Sequence, residues 1–320
     1  MTHFFVAAIS IATVLLYGCV GEIITEKAGH LNLGIPGIMC MGTAGGCLGV
    51  SLYMGSLSSP ENASWILLVL ISLLFSVIFA ALLGGIYALL TVTLRCNQNI
   101  TGLAITIFGS GATNFLMHSF IDRTHFEAAG KIVSASLPFA DRLGGFGRVV
   151  FGHGVFVYIA IVVAIACAFV LNKTRVGLHL RAVGESPATA DAAGINVVLY
   201  KYVAILVGSA IAGLGGFYYI MDYIKGSWEN AGTIEAFGWL AIALVIFVLW
   251  KPNLAVLGAL LFGACFIMYA IVNITPTQKE IIKMLPYVVT IVVLVLTSIR
   301  KKREHQPPAS LGLSYFREDR

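Results

Sequence analysis

Residues 65–94 read Trp65-Ile-Leu-Leu-Val-Leu70-Ile-Ser-Leu-Leu-Phe75-Ser-Val-Ile-Phe-Ala80-Ala-Leu-Leu-Gly-Gly85-Ile-Tyr-Ala-Leu-Leu90-Thr-Val-Thr-Leu94. No charged residue lies between Glu61 and Arg95. The run reads as a helix over 64–94. At about 1.5 Å per residue it would be roughly 45 Å long, beyond the ~30 Å hydrocarbon thickness of a bilayer. It is expected to tilt, or to break near Gly84-Gly85.

The whole chain has this character. Of its 320 residues, 58% are hydrophobic and 11% charged, with mean hydropathy +0.92. A soluble domain carries about 25% charge, and part of every globule must face water. The composition excludes a soluble enzyme, a disordered chain and a nucleic-acid binder. It predicts an all-α polytopic membrane protein, with enough apolar residues for about nine spans of ~20. The apolar runs lie at 4–27, 37–54, 64–94, 100–118, 151–171, 200–221, 235–249, 254–273 and 284–299. The run at 235–249 is short, a half-helix or one buried by its neighbours. Leu16-Tyr17-Gly18-Cys19 resembles a lipoprotein cleavage box, but no basic residue precedes Lys27. The first run therefore reads as an uncleaved span, since a secretory signal needs a positive leading segment.

Charge sets the expected orientation. With the C-terminus inside and nine spans, 13 of the 20 basic residues fall on the inner side, including the tail Arg300-Lys301-Lys302-Arg303. This agrees with the positive-inside rule and places the N-terminus outside. Residues 1–300 form one membrane domain with its longest inner loop at 172–199, and 301–320 form a basic, polar cytoplasmic tail. Residues 119–150 form an outer loop long enough for a surface helix. The six cysteines contain no C-x-x-C pair and read as small buried hydrophobes. No cofactor or metal is implied.

Three segments carry chemistry. In 21–37, Glu22, Glu26, Lys27 and Asn32 fall where one apolar run ends and the next begins, among Gly29, Gly34 and Gly37. Irregular backbone at membrane depth must be buried in protein or line a cavity, and ionisable groups there are costly. The segment is either a broken helix bordering a translocation path or an ordinary inner turn with Glu26 and Lys27 solvated. In the inner loop, Ser186 reads as an N-cap, Pro187 as the first helical residue and Gly194 as the stop. So short a helix is unstable alone. It docks a cytoplasmic partner or folds onto its own bundle. Third, Ser110 and Asn114 share one helix face, toward a hydroxylated solute or a neighbouring helix. Small residues at Gly42/Gly46, Gly45/Gly49, Gly208/Ala212 and Ala212/Gly216 mark close-packing faces.

The absences matter as well. No phosphate-cradling G-x-x-x-x-G-K-[ST] loop occurs, so the chain hydrolyses no nucleotide itself. The spans carry no ladder of carboxylates of the sort that an ion-coupled carrier, a competing possibility, would use.

Taken together, two stretches resemble one family. Gly21-Glu22…Glu26-Lys27-Ala28-Gly29…Asn32-Leu33-Gly34…Gly37 and Leu180-Arg181-Ala182-Val183-Gly184-Glu185-Ser186-Pro187…Asp191-Ala192-Ala193-Gly194 are similar to the permease subunits of bacterial ABC importers for nucleosides and simple sugars (the branched-chain amino acid/ribose-type permease superfamily). Pro36 and His30 depart from the family pattern. The resemblance implies a type II, vitamin-B12-importer-like fold in the bacterial cytoplasmic membrane. It implies a second, paralogous permease chain, an ABC ATPase subunit that performs ATP hydrolysis, and an extracytoplasmic substrate-binding (lipo)protein facing 119–150 and 222–234. It places Glu22, Glu26, Lys27, Asn32, Ser110 and Asn114 along the path. Arg181, Glu185, Ser186, Pro187, Ala188, Asp191 and Gly194 would couple to the ATPase. Nucleosides are the expected cargo, with a simple sugar such as ribose as the alternative.

Overall fold

The computed structural model describes residues 2–137, 140–271, 275–300 and 306–316. Pro138 and the basic positions 301–303, 317 and 320 lie outside them. Among the described residues the chain is helical, with no strand.

Six helical segments are long and apolar enough to cross a membrane. They are α1 (Thr2–Lys27), α2 (Ile35–Gly55), α3 (Trp65–Ala88) extended by a π turn at Leu89–Thr93, α4 (Gln98–Ser119), α7 (Val155–Lys173), and α10 (Val197–Tyr218) extended by a π turn at Tyr219–Tyr223. Apolar α11 (Gly232–Phe247), α12 (Pro252–Ile271) and α14 (Leu285–Arg300) follow. Two short helices, α5 (Phe126–Val133) and α6 (Gly144–Phe151), fold the 119–150 loop where one surface helix was expected. α13 (Pro276–Lys283) was not foreseen, although Thr275 and Gln278 form a capping box, a signal visible in the sequence.

Burial decides which helices are central. α1 is buried almost continuously from Ile11 to Glu26 and packs on α10, α12 and α11. α2 is sandwiched by α3, α10 and α4. α3 and α7 instead expose long apolar side chains such as Leu70, Leu82, Val162 and Ile165. An exposed surface of this kind suits lipid, not water. α11 is a short helix buried against α1 and α2.

The small-residue faces let these backbones meet. A β-carbon at Gly42 would lie 2.3 Å from the Cα of Gly213, and one at Gly21 would lie 2.3 Å from the carbonyl oxygen of Gly208. Such approaches are how helices associate without a hydrophobic driving force between them. Of the two expectations for the long third run, a tilt or a break near Gly84-Gly85, the break does not form. The helix runs unbroken through Gly84-Gly85, because Gly84 makes room for Ser209, whose Oγ would lie 2.1 Å from a β-carbon there. The irregularity comes later, in the π turn at 89–93.

Cys19, Cys40 and Cys47 are buried as expected, but Cys96 is exposed after α3. Its position beside an apolar run places it at the run's end, where burial stops. All six thiols are free.

Candidate functional site

Between α1 and α2 the chain leaves helical geometry for residues 28–34. Gly29 adopts φ +83°, a left-handed conformation that glycine takes at no steric cost. The segment is deeply buried: Ala28, His30, Asn32 and Ile35 are each 1% exposed or less. Its backbone groups therefore need partners, and other helices provide them. Gln98 at the start of α4 accepts from Leu31 N (2.8 Å). Tyr87 of α3 donates to the Leu31 carbonyl (2.7 Å), and Thr106 of α4 donates to that of Leu33 (2.7 Å).

Of the two glutamates of the motif, Glu22 holds the break and Glu26 ties the end of α1 to another segment. Glu22 Oε1 accepts from Asn32 N (3.0 Å), and Asn32 Oδ1 accepts from Gly34 N (2.9 Å). Glu26 accepts from the indole N–H of Trp250, which lies in the turn before α12. Glu22 and Glu26 lie four residues apart on one face of α1, 0% and 3% exposed. The solvated-turn reading of Glu26 is thus incorrect; burial between α1 and the Trp250 turn removes it from water. Lys27 is only half-buried and borders a cleft with Arg181, Glu185 and Lys251.

The second motif folds into α8 (Arg175–Glu185) and α9 (Pro187–Ala192). Thr174 caps α8 by accepting from Gly177 N (3.1 Å). Ser186 caps α9 by accepting from Thr189 N, Pro187 opens it, and Gly194 leaves it at φ +84°. The punctuation read from sequence is what forms. Arg181 bonds back to the Gly177 carbonyl. Ala188 and Asp191 lie on α9, whose Ala190 is buried beside Val183 and Val197.

The two motifs, far apart in sequence, meet in space. A β-carbon at Gly184 would lie 2.2 Å from the Lys27 carbonyl oxygen and 3.2 Å from Gly29 N. The C-terminal segment 306–316 bonds to the second motif directly and reaches the first through Gln98. Ser310 donates through N (3.0 Å) and Oγ (2.6 Å) to the Gly184 carbonyl. Gln98 donates to the Leu313 carbonyl (3.3 Å), and Tyr315 donates to Asp191 (2.8 Å). No sequence signal marked this strap, whose contacts reach across more than a hundred residues.

Ser110 and Asn114 lie apart from this junction. Asn114 Oδ1 accepts from Ala231 N at the start of α11 (2.9 Å), so it joins two helices. Ser110 is half-buried on the same helix. Among the described residues no group of His, Cys, Asp or Glu is placed to hold a metal ion.

Comparison with known proteins follows the same lines. The family model "branched-chain amino acid transport system / permease component" matches residues 4–294. The nucleoside ABC transporter permease NupC of Lactococcus lactis is 32% identical over 290 residues, covering 89% of each chain. The putative glucose ABC transporter permease TsgC13 of Haloferax volcanii is 29% identical, covering 98% of this chain and 97% of that one. The guanosine ABC transporter permease NupQ of Bacillus subtilis is 29% identical, covering 98% and 96%. No solved structure matches. With both motifs joined in one multi-pass helical bundle, the chain belongs to the branched-chain amino acid transport system / permease component family, as a permease subunit of an ABC importer.

Proposed function

We propose that this chain lines one half of the path by which an ABC importer carries nucleosides across a bacterial cytoplasmic membrane. Relatives whose names specify nucleosides and guanosine support that cargo. The glucose permease among the relatives favours a second reading, the same machine carrying a simple sugar such as ribose. The three further apolar helices, α11, α12 and α14, would complete nine spans of a type II, vitamin-B12-importer-like bundle beside a paralogous second permease. The end bearing α9 and the strap would face the cytoplasm, with the N-terminus outside and α5 and α6 toward a binding protein.

The observation that carries the mechanism is the contact of Gly184 with Lys27. In this reading α9, with Ala188 and Asp191, seats in a separate ATPase subunit. ATP closes the ATPase pair and displaces α9. Because α8 abuts the end of α1 backbone to backbone, the displacement reaches the 28–34 break, where Glu22 and Asn32 hold the irregular chain. ATP must favour one transporter conformation over the other for this to do work. Glu22, Glu26 and Asn32 then support the path from behind, and weak solute contacts permit inward release.

The test is uptake of labelled nucleosides and labelled ribose by cells expressing this chain with its neighbouring transport genes, with and without ATP depletion. ATP-dependent nucleoside uptake, competed by unlabelled nucleoside and not by ribose, is expected. Asn32→Leu should lower uptake with the complex still assembled. Uptake that survives ATP depletion and collapses with the ion gradient would sink the reading.

A further inference from the structure

A cavity of about 420 Å³ opens at the end of the bundle that bears α9. Five segments converge on it: the 28–34 break, the end of α3, the α9–α10 turn, the first turns of α10, and the strap. Its basic and polar groups are unusually placed. Lys201 is 2% exposed and His30 is 1% exposed, yet both line the cavity. Neither ring nitrogen of His30 has a side-chain hydrogen-bond partner among the described residues, and only the adjoining Gly29 backbone lies near the ring. A buried polar group without a partner is costly.

The cavity wall adds donors. The first N–H groups of a helix have no intrahelical acceptor. In α10, Asn196 takes those of Leu199 through its side chain and Tyr200 through its carbonyl. Val197 and Val198, the first residues of α10, line the cavity. There the positive end of the helix dipole adds to the Lys201 charge. Arg95 stands at the mouth, with its guanidinium over the Phe316 ring of the strap at 4.6 Å. Asp191, the acid on the rim, accepts from Tyr315.

We propose that this cavity is an anion site for a phosphate group, bound by Lys201 and Arg95 with His30 and the α10 N-terminus. Two cations, a helix start and an imidazole donor suit a compact dianion. Burial and the nearby Lys201 charge hold His30 down to about 3, so at neutral pH it is an uncharged donor that does not repel Lys201. An occupant would bridge the α9–α10 turn to the 28–34 break, and so would fix the coupling end of the chain relative to α1. The phosphate could come from solution or from a lipid headgroup.

The test uses the assembled transporter in nanodiscs. Inorganic phosphate is titrated against chloride at equal ionic strength in phosphatidylcholine discs, and phosphatidylcholine discs are compared with phosphatidylglycerol discs. The readout is the unfolding midpoint. An upward shift of roughly 2–4 °C with phosphate, abolished by Lys201→Gln and by Arg95→Gln, supports the site with a soluble ligand. A shift seen only with phosphatidylglycerol, and abolished by the same substitutions, supports it with a headgroup ligand. Arg95 is exposed at the mouth, so its variant remains informative if Lys201→Gln fails to assemble. No shift from either source, or a shift that survives both substitutions, overturns the proposal. None of these readouts depends on transport.

Discussion

Gly184 of α8 sits so close to Lys27 at the end of α1 that a β-carbon on it would lie 2.2 Å from the Lys27 carbonyl oxygen. The obstacle is backbone, not a side chain that could swing away. Gly184→Ala must therefore push α8 off α1. Overpacking of this kind costs typically about 1–3 kcal/mol. We expect a lowered unfolding midpoint and at least a ten-fold loss of ATP-driven uptake. Unchanged uptake would mean that the α8–α1 contact transmits nothing.

Glu26 depends on Trp250 for its indole donor. Trp250→Phe keeps an aromatic side chain and removes the pyrrole ring with its N–H, leaving a buried acceptor short of a partner. Leaving a buried acceptor unsatisfied costs about 1–3 kcal/mol. The variant should lose stability in that range, and Glu26→Gln in the Trp250→Phe background should lose less than the sum of the two single changes. Additive losses in chemical denaturation of the four proteins would argue against coupling.

His30 gives the fold an acid sensitivity. Its imidazole is depressed from 6.5 to about 3, chiefly by burial and then by Lys201. A depressed group contributes stability that is present above pH 6.5 and is lost as pH falls toward 3. Lys201, Arg95, Asp191 and Tyr315 face the same cavity. The Lys201 charge opposes protonation of His30. The midpoint of the wild type should fall more steeply between pH 6.5 and 5 than that of His30→Gln. Parallel curves would show that the ring is not held neutral.

The short helix α9 rests on its caps. Ser186→Ala removes the side-chain acceptor for Thr189 N, a loss of about 1 kcal/mol for an N-cap. Gly194→Ala places a β-carbon at φ +84°, a conformation costly for L-residues. Both should weaken co-purification of the ATPase subunit several-fold, while Ala188→Ser, which leaves both caps intact, should not change α9 itself. ATPase retention by both cap variants would separate α9 from docking.

The sequence by itself determined what local chemistry can determine. Charge-free runs such as 65–94 dictate membrane helices, because no long apolar helix can be covered by water. Ser186, Pro187 and Gly194 dictate α9, because a cap acts within three or four residues of itself. The glycine spacing dictates which helix faces approach closely. The tertiary structure alone decided what each face meets. Gly84-Gly85 reads as a place where the helix could break, and the approach of Ser209 makes Gly84 a packing contact instead. Glu26 reads equally as solvated or buried, and Trp250, 224 residues away, decides that it is buried. Tyr315 looks like part of a polar tail until it donates to Asp191 across 124 residues. Local patterns encode a residue's own turn. The partner that satisfies a buried group comes from whichever segment the whole bundle brings beside it.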